Sequence, residues 1–175
     1  MILGHILAGA LPLCAQYTTP GQIPMGDFNA MQVWLNQAGA AQKVDFLMRL
    51  GVDPVLGKNV VEELIPGQQI ELHPVRSPGA TQYGVVFLPG FRGCFLNLLE
   101  EKMDDAGKLN WRVIDQQTLD CWDGAATLEL IPLRVAGWDD LVLHHVNVGH
   151  GSGYLKEQTL VFSVMNGRLV RVLET

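Results

Sequence analysis

The densest cluster of side chains able to do chemistry lies between positions 139 and 150. His144, His145 and His150 fall within seven residues, and neutral imidazole is a common nitrogen ligand of zinc. If this segment is a strand, successive side chains point to opposite faces, so His144 and His145 diverge. We expect one of these two on the solvent face and the other in the core with a satisfied hydrogen bond. We therefore expect no metal and no cofactor, and keep the three histidines with Asp139 and Asp140 as weak candidates for metal ligands.

Ser152 lies in a glycine-rich segment, residues 149–153. His150 occupies the position where the G-x-S-x-G motif of serine hydrolases requires its first glycine. No Lys-Ser or Lys-Thr pair follows, as a phosphate-binding loop would require. A flexible hairpin loop accounts for the glycines, and we expect no catalytic residue here. The alternative that stays open is a metal-assisted or serine hydrolase centred on His144, His145, His150 and Ser152.

Two of the three cysteines, Cys94 and Cys121, lie on either side of an expected chain reversal at residues 104–107. Pairing across that turn would place Cys94 opposite a residue within one or two places of Cys121, with Cα atoms about 5 Å apart. A disulfide accepts such a separation. The pattern therefore predicts a Cys94–Cys121 disulfide; a cysteine nucleophile activated by His145 or His150 is the competing interpretation.

The first fifteen residues, Met1–Ala15, form an apolar block without Lys, Arg, Asp or Glu. Such a block ending in a small residue is typical of an export signal cleaved after Ala15. Cys14 also permits lipidation, which would make the chain a lipoprotein, and a retained apolar segment is a third interpretation. We expect a periplasmic or secreted protein, with no integral membrane span once the signal is removed.

The segment after residue 26 has helical periodicity. Asp27 can cap a helix over Phe28–Gln37, and a second helical segment ends at Gly51. Asn59 begins a weak capping box for a short turn that reaches Ile65.

From residue 69 onward, the apolar period changes from helical to two. Residues 94–103 fit either a helix or a strand, and we favour a strand because it suits the cysteine pairing. Asn166–Gly167, between two apolar runs, predicts a hairpin with a type I′ turn. The other expected strands cover residues 70–73, 83–88, 109–119, 127–131, 141–148, 155–164 and 168–173.

These elements predict an α+β fold, in which N-terminal helices pack against a C-terminal antiparallel β meander, either a sheet or a partly open sandwich. We expect an export signal at residues 1–15, a linker at 16–26 and one domain at 27–175. That domain would be helical over 27–65 and β-rich over 69–175.

The composition is that of a folded domain, with 48% hydrophobic and 17% charged residues. A net charge of -6 argues against nucleic acid as a partner, because nucleic-acid affinity depends on clustered Lys and Arg. Trp34, Trp111, Trp122 and Trp138 could line a carbohydrate-binding face, but tryptophans more often pack in the core or at its rim. We interpret the chain as a non-catalytic binding or envelope-associated module for an unidentified protein, peptide or glycan of the cell envelope.

Overall fold

The computed structural model describes residues 26–64, 68–90, 93–121, 126–148 and 155–175. Within them, three helices precede eight strands. The sequence predicts helical segments before strands, but only a short turn in the region of the third helix. The helices are α1 (Phe28–Gln37), α2 (Ala40–Leu50) and α3 (Pro54–Glu63). The strands are β1 (Glu71–Val75), β2 (Tyr83–Leu88), β3 (Cys94–Met103), β4 (Leu109–Leu119), β5 (Ala126–Ile131), β6 (Asp140–Val148), β7 (Leu155–Met165) and β8 (Arg168–Glu174).

Two of the three helices, α1 and α3, begin at carboxylate caps. Asp27 accepts a hydrogen bond from the Ala30 N–H at 2.8 Å and begins α1, as predicted. Asp53 accepts from two backbone N–H groups and caps α3, six residues before the expected cap at Asn59. The missed signal is the Asp-Pro pair, since proline is favoured at the first helical position behind a capping carboxylate. The expected end at Ile65 lies outside the described residues.

The strands form two antiparallel four-stranded sheets, each a meander. The first has the order β1-β2-β3-β4 and the second β5-β6-β7-β8. The expected hairpin between β7 and β8 is present, and Asn166 and Gly167 both have positive φ, at 52° and 71°, as a type I′ turn requires. The α+β prediction is confirmed, with two sheets in the meander.

The first sheet is the middle of three layers. Val86 and Leu88 on one face pack against the helices, whereas Val85 and Phe87 on the other face pack against the second sheet. Because both faces of β2 are covered, it is a continuous apolar run and not an alternating one.

Helix α1 docks closely on the first sheet. A Cβ at Gly84 would overlap the Phe28 ring, so only glycine lets this helix approach the sheet. The Gln32 side chain accepts from the Leu72 N–H at 2.7 Å and donates to the Ile70 carbonyl at 3.0 Å. Helix α1 therefore covers backbone groups at the outer edge of the sheet that would otherwise need water or another strand.

The predicted disulfide is not supported, because Cys94 and Cys121 are buried free thiols. Cys94 pairs with Leu119, and Cys121 lies two residues further on, which makes the cysteines diagonal neighbours. Diagonal Cα atoms are about 7–8 Å apart, beyond the span of about 4.4–6.8 Å that a disulfide bridges. The hydrogen bond with Cys94 raises the pKa of the Cys121 thiol, and burial raises it further. The Cys121 thiol therefore stays protonated and is a poor nucleophile.

No helix in the described part of the chain is long and apolar enough to cross a membrane. The predicted export signal at residues 1–15 lies outside the described residues, as do all but one residue of the predicted linker.

Candidate functional site

Strand β6 carries most of the polar residues singled out in the sequence. Leu141, Leu143 and His145 point into the core between the sheets. His144 points to the other face and is exposed. The two histidines therefore diverge, as strand periodicity predicts.

At the start of β6, Asp139 is held by Arg76, the first residue after β1. The Asp139 carboxylate accepts from the Arg76 backbone N–H at 2.8 Å and from its Nη2 at 2.6 Å, and the Asp139 N–H donates to the Arg76 carbonyl. Burial acts to raise the pKa of Asp139, but the hydrogen bonds and charge of Arg76 outweigh it, so this pKa lies below the usual value. The same hydrogen bonds raise the pKa of Arg76. The pair ties the first sheet to the second.

Asp140, the next residue, is equally well paired. Its carboxylate accepts from the Arg134 Nε at 3.0 Å and from the Arg134 backbone N–H at 3.1 Å. The buried Ser163 hydroxyl donates to the same carboxylate. Asp139 and Asp140 therefore have structural partners, and Asp140 lies roughly 16 Å along the strand from His145 at about 3.3 Å per residue.

Near the other end of β6, residues from both sheets line a cavity of about 650 Å³. Small-molecule sites span about 300–1,000 Å³. The second sheet contributes residues 126–127, 144–146 and 157–159. The start of β1 with the two residues Gln68 and Gln69 before it, and Pro89 after β2, complete the lining.

Strand register brings the walls of this cavity together. His145 is the cross-strand partner of Ala126 on β5 and of Gln158 on β7. His144 occupies the same position between Thr127 and Thr159. These two rows face opposite sides of the second sheet, and both border the cavity near the end of β6.

His145 is the most deeply buried polar side chain of the cavity, with 3% of its surface exposed. Its Nδ1 has no hydrogen-bond partner among the described residues, whereas the sequence led us to expect a satisfied one. Burial lowers the pKa of His145; the carboxylates of Asp120 and Glu174 oppose this shift, and Lys156 adds to it. The ring is therefore neutral at pH 7 and holds an unused hydrogen-bonding atom.

The other polar groups of the cavity are more accessible. His144 Nδ1 lies 2.9 Å from the Thr159 hydroxyl. Glu71 is half-buried and approaches His73 Nε2 at 3.0 Å. Glu157 is exposed and forms no ion pair with a described residue.

The structure brings together only part of the sequence-predicted cluster. His144 and His145 line one cavity, Asp139 and Asp140 lie at the opposite end of the strand, and the segment with His150 and Ser152 is outside the described residues. Within the described ranges, no group of three or more His, Cys, Asp or Glu side chains is placed to hold a metal ion.

Sequence reasoning missed the residues that complete the cavity. Glu71 and Glu157 are far apart in the chain, and Gln158 and Thr159 belong to a strand with no local site motif. The pairing of β6 with β7, which places Gln158 beside His145, is a signal that could have found the β7 residues. No local signal could have found Glu71, because it lies in the other sheet.

The tryptophans with described positions do not line this cavity. Trp111 is buried against Phe28 at 4.5 Å between ring centroids, and Trp34 packs near Phe46 at 5.7 Å. Trp138 is 43% exposed near the Asp139 end, and Trp122 lies outside the described residues.

Comparisons of the chain with protein-family models, with curated proteins and with solved structures give no match.

Proposed function

We propose that this chain is an exported, non-catalytic binding module whose ligand occupies the cavity between the two sheets. The ligand would be a peptide or glycan of the cell envelope, or an exposed segment of an envelope protein. The His145 end of the cavity is the centre of the proposed site.

One observation carries this proposal: residues of both sheets, among them the deeply buried His145, line a cavity of ligand size. Polar side chains in this lining, such as Gln69, His144 and Thr159, can hydrogen-bond to a ligand.

The non-catalytic part of the proposal rests on how the reactive groups are engaged. The Cys121 thiol has a raised pKa and is buried beside Cys94. Asp139 and Asp140 are engaged by arginines away from the cavity. These groups are therefore poorly placed to act as a nucleophile or a general acid–base pair in the cavity.

Export is supported by the apolar block Met1–Ala15 alone. Intact mass of the protein recovered from each cell fraction tests it together with the lipoprotein alternative. We expect exported protein without residues 1–15. A lipid adduct on Cys14 would replace cleavage after Ala15 with a lipoprotein anchor, and full-length protein confined to the cytosol would contradict export.

Binding in the cavity is tested by NMR titration of the protein with panels of short peptides and oligosaccharides. We expect at least one probe to shift the amide signals of β5, β6 and β7 around the cavity. Thr127→Trp, which places a large ring in the cavity wall, should abolish these shifts. The matched control Glu129→Trp lies two residues away on the same strand and face but outside the cavity, and should preserve them. Equal effects of the two variants would contradict the proposed site.

A metal-assisted or serine hydrolase is a second candidate, favoured by one observation: His144 and His145 line the same cavity, with the Thr159 hydroxyl close to His144. Its other residues would be His150 and Ser152. Stoichiometric zinc in tag-free protein, or hydrolysis of generic esters or peptides that His145→Phe abolishes, would support this candidate. Metal-free protein without such activity would remove it.

A further inference from the structure

We propose that the outer edge of strand β5 binds an extended peptide, which pairs with β5 as an added strand beside the cavity. This inference rests on the proposed binding function and specifies the class of ligand and how it binds. In such strand addition, backbone hydrogen bonds supply affinity and alternate side chains supply specificity.

The first argument compares the four edge strands of the two sheets, which are β1, β4, β5 and β8. At β1, the Gln32 side chain of α1 donates to the Ile70 carbonyl and accepts from the Leu72 N–H. Pro74, the next residue on that edge, has no N–H to offer. Helix α1 and this proline therefore close the edge of the first sheet.

The edges of β4 and β8 lie against each other. Asp115 of β4 accepts from the Leu169 N–H of β8 at 2.7 Å, and Gln117 of β4 donates to the Leu169 carbonyl at 3.5 Å. These two edges are therefore covered inside the molecule.

Strand β5 has no such cover. Within the described structure, no side chain or strand hydrogen-bonds to its backbone on the side away from β6. Its six residues, 126–131, include no Lys or Pro, and its register with β6 has no bulge. It therefore lacks three of the usual devices that prevent an edge strand from pairing with another chain.

The ladder of the second sheet shows which backbone groups are open. Thr159 and Thr175 exchange both backbone hydrogen bonds between β7 and β8, at 3.2 and 3.0 Å. Thr159 therefore points its backbone groups away from β6, because paired residues alternate between bonded and non-bonded along an antiparallel ladder. His144, opposite Thr159, points its groups toward β5 and bonds with Thr127.

By the same alternation, the N–H and C=O groups of Ala126, Leu128 and Leu130 point to the open edge. The side chains of these residues belong to the core between the sheets or pack half-buried against it. Apolar residues of an added strand opposite them would extend this core, and polar residues would lie beside the exposed Thr127 and Glu129. The ligand that fits is an extended peptide with alternating apolar and polar residues.

The open edge is continuous with the cavity, because Ala126 and Thr127 line both. A six-residue strand spans roughly 20 Å at about 3.3 Å per residue, which is the length of a short peptide. A glycan has no regular row of backbone amides to pair with this edge. Among the proposed ligands, the edge therefore favours a peptide, one side chain of which would enter the cavity.

Hydrogen exchange of the free protein tests the assignment of the open groups. We expect the amides of Leu128 and Leu130 to exchange at least about tenfold faster than those of Thr127 and Glu129, which bond to β6. Equal protection of the two pairs would overturn the inference.

Binding is tested by NMR titration with the alternating peptide acetyl-Lys-Val-Thr-Val-Thr-Val-Lys-amide and two isomers that carry two backbone N-methyl groups each. We expect the parent peptide to shift the β5 amides saturably. Methylation of the first two valines, which would face the open groups, should weaken binding about tenfold or more because two donors are lost. Methylation of the two threonines, whose N–H groups would point away, should weaken it by less than about threefold.

A matched pair of variants tests the protein side. Leu130→Pro removes one N–H of the open edge and leaves the hydrogen bonds to β6, so it should weaken binding about fivefold or more. Leu130→Val keeps the N–H in a side chain close to proline in size, and should change affinity by less than about twofold. If Leu130→Pro does not fold, the two methylated peptides still decide.

Equal affinities of the two methylated peptides, or no saturable shift along β5 at millimolar peptide, would overturn the inference. If another peptide or an oligosaccharide then shifted the cavity signals, the proposed binding function would stand; if no probe did, both would fail. Sedimentation of the free protein gives the last outcome. A dimer that Leu130→Pro dissociates would assign the edge to a second copy of the chain and overturn the peptide as its occupant.

Discussion

Buried polar groups at the two ends of strand β6 differ in whether they have hydrogen-bond partners. At its start, Asp139 and Asp140 are each held by an arginine, and Ser163 adds a further hydrogen bond. Near its other end, His145 is equally buried but has an unpaired ring nitrogen beside a cavity of about 650 Å³. The paired end connects the two sheets, and the unpaired end borders the cavity.

This difference separates structural polar residues from candidate binding residues. Structural polar residues and candidate binding residues lie only a few residues apart on β6. In the sequence they form one dense polar cluster. A buried group with all its partners stabilises the fold, whereas a buried group without a partner lowers stability.

The largest expected effect is at the paired end. Asp140→Ala removes the carboxylate that accepts from Arg134 and Ser163, and should lower the free energy of unfolding by about 3 kcal/mol. Urea denaturation at pH 7 measures the loss. Glu129→Ala, an exposed carboxylate on β5, is the control and should change stability by less than about 0.5 kcal/mol. Equal losses of stability for the two variants would contradict a structural role for Asp140.

A smaller loss is expected for Asp139→Asn, and it should depend on acid. Arg76 holds the pKa of Asp139 below its usual value, so the folded state gains stability from this group above the unfolded pKa of about 3.8. That gain is lost as the pH falls through the lower pKa of the folded state. Denaturation curves from pH 7 downward should therefore show wild type and Asp139→Asn converging below about pH 4. A constant difference across this range would contradict the ion pair as its source.

At the unpaired end, the sign of the effect should reverse. His145→Phe replaces the unsatisfied ring with an apolar ring, and the cavity leaves room for its slightly larger size. We expect the free energy of unfolding to rise by about 1 kcal/mol, while ligand binding is lost. A substantial loss of stability would show that the His145 ring makes a structural contribution, and would break the contrast with Asp140.

The smallest expected effect is a pH dependence that belongs to His145. Burial lowers its pKa in the folded state, so the unfolded chain takes up a proton first as the pH falls below about 6.5. Stability should therefore decline from about pH 6.5 toward the lower folded pKa, well above the range in which Asp139 acts. Subtracting the curve of His145→Phe from that of wild type isolates this contribution. Identical pH profiles above pH 5 would exclude it.

Much of the fold could be predicted because its signals are local. Asp27 caps the first helix, and Asn166–Gly167 supplies the two positive φ angles of the last hairpin. The start of α3 was missed even though its signal, Asp53 before Pro54, is local as well.

The candidate site was only partly predictable because it depends on register and layering. Periodicity placed His144 and His145 on opposite faces, but it could not place Glu71 in the same cavity, since that placement requires the two sheets to pack together. The prediction of a disulfide failed for a related reason. Cys94 lies opposite Leu119, so Cys121 is two residues beyond the position that a disulfide to Cys94 would need.

The most direct test of the contrast follows the side-chain nitrogens of both ends of β6 in one NMR titration. The His145 imidazole signals, assigned by their absence in His145→Phe, and the Arg134 Nε signal are recorded while a peptide or oligosaccharide that shifts the amide signals around the cavity is added. We expect the His145 signals to move saturably and the Arg134 signal to stay in place. Saturable movement at Arg134, or none at His145, would contradict the assignment of ligand binding to the unpaired end.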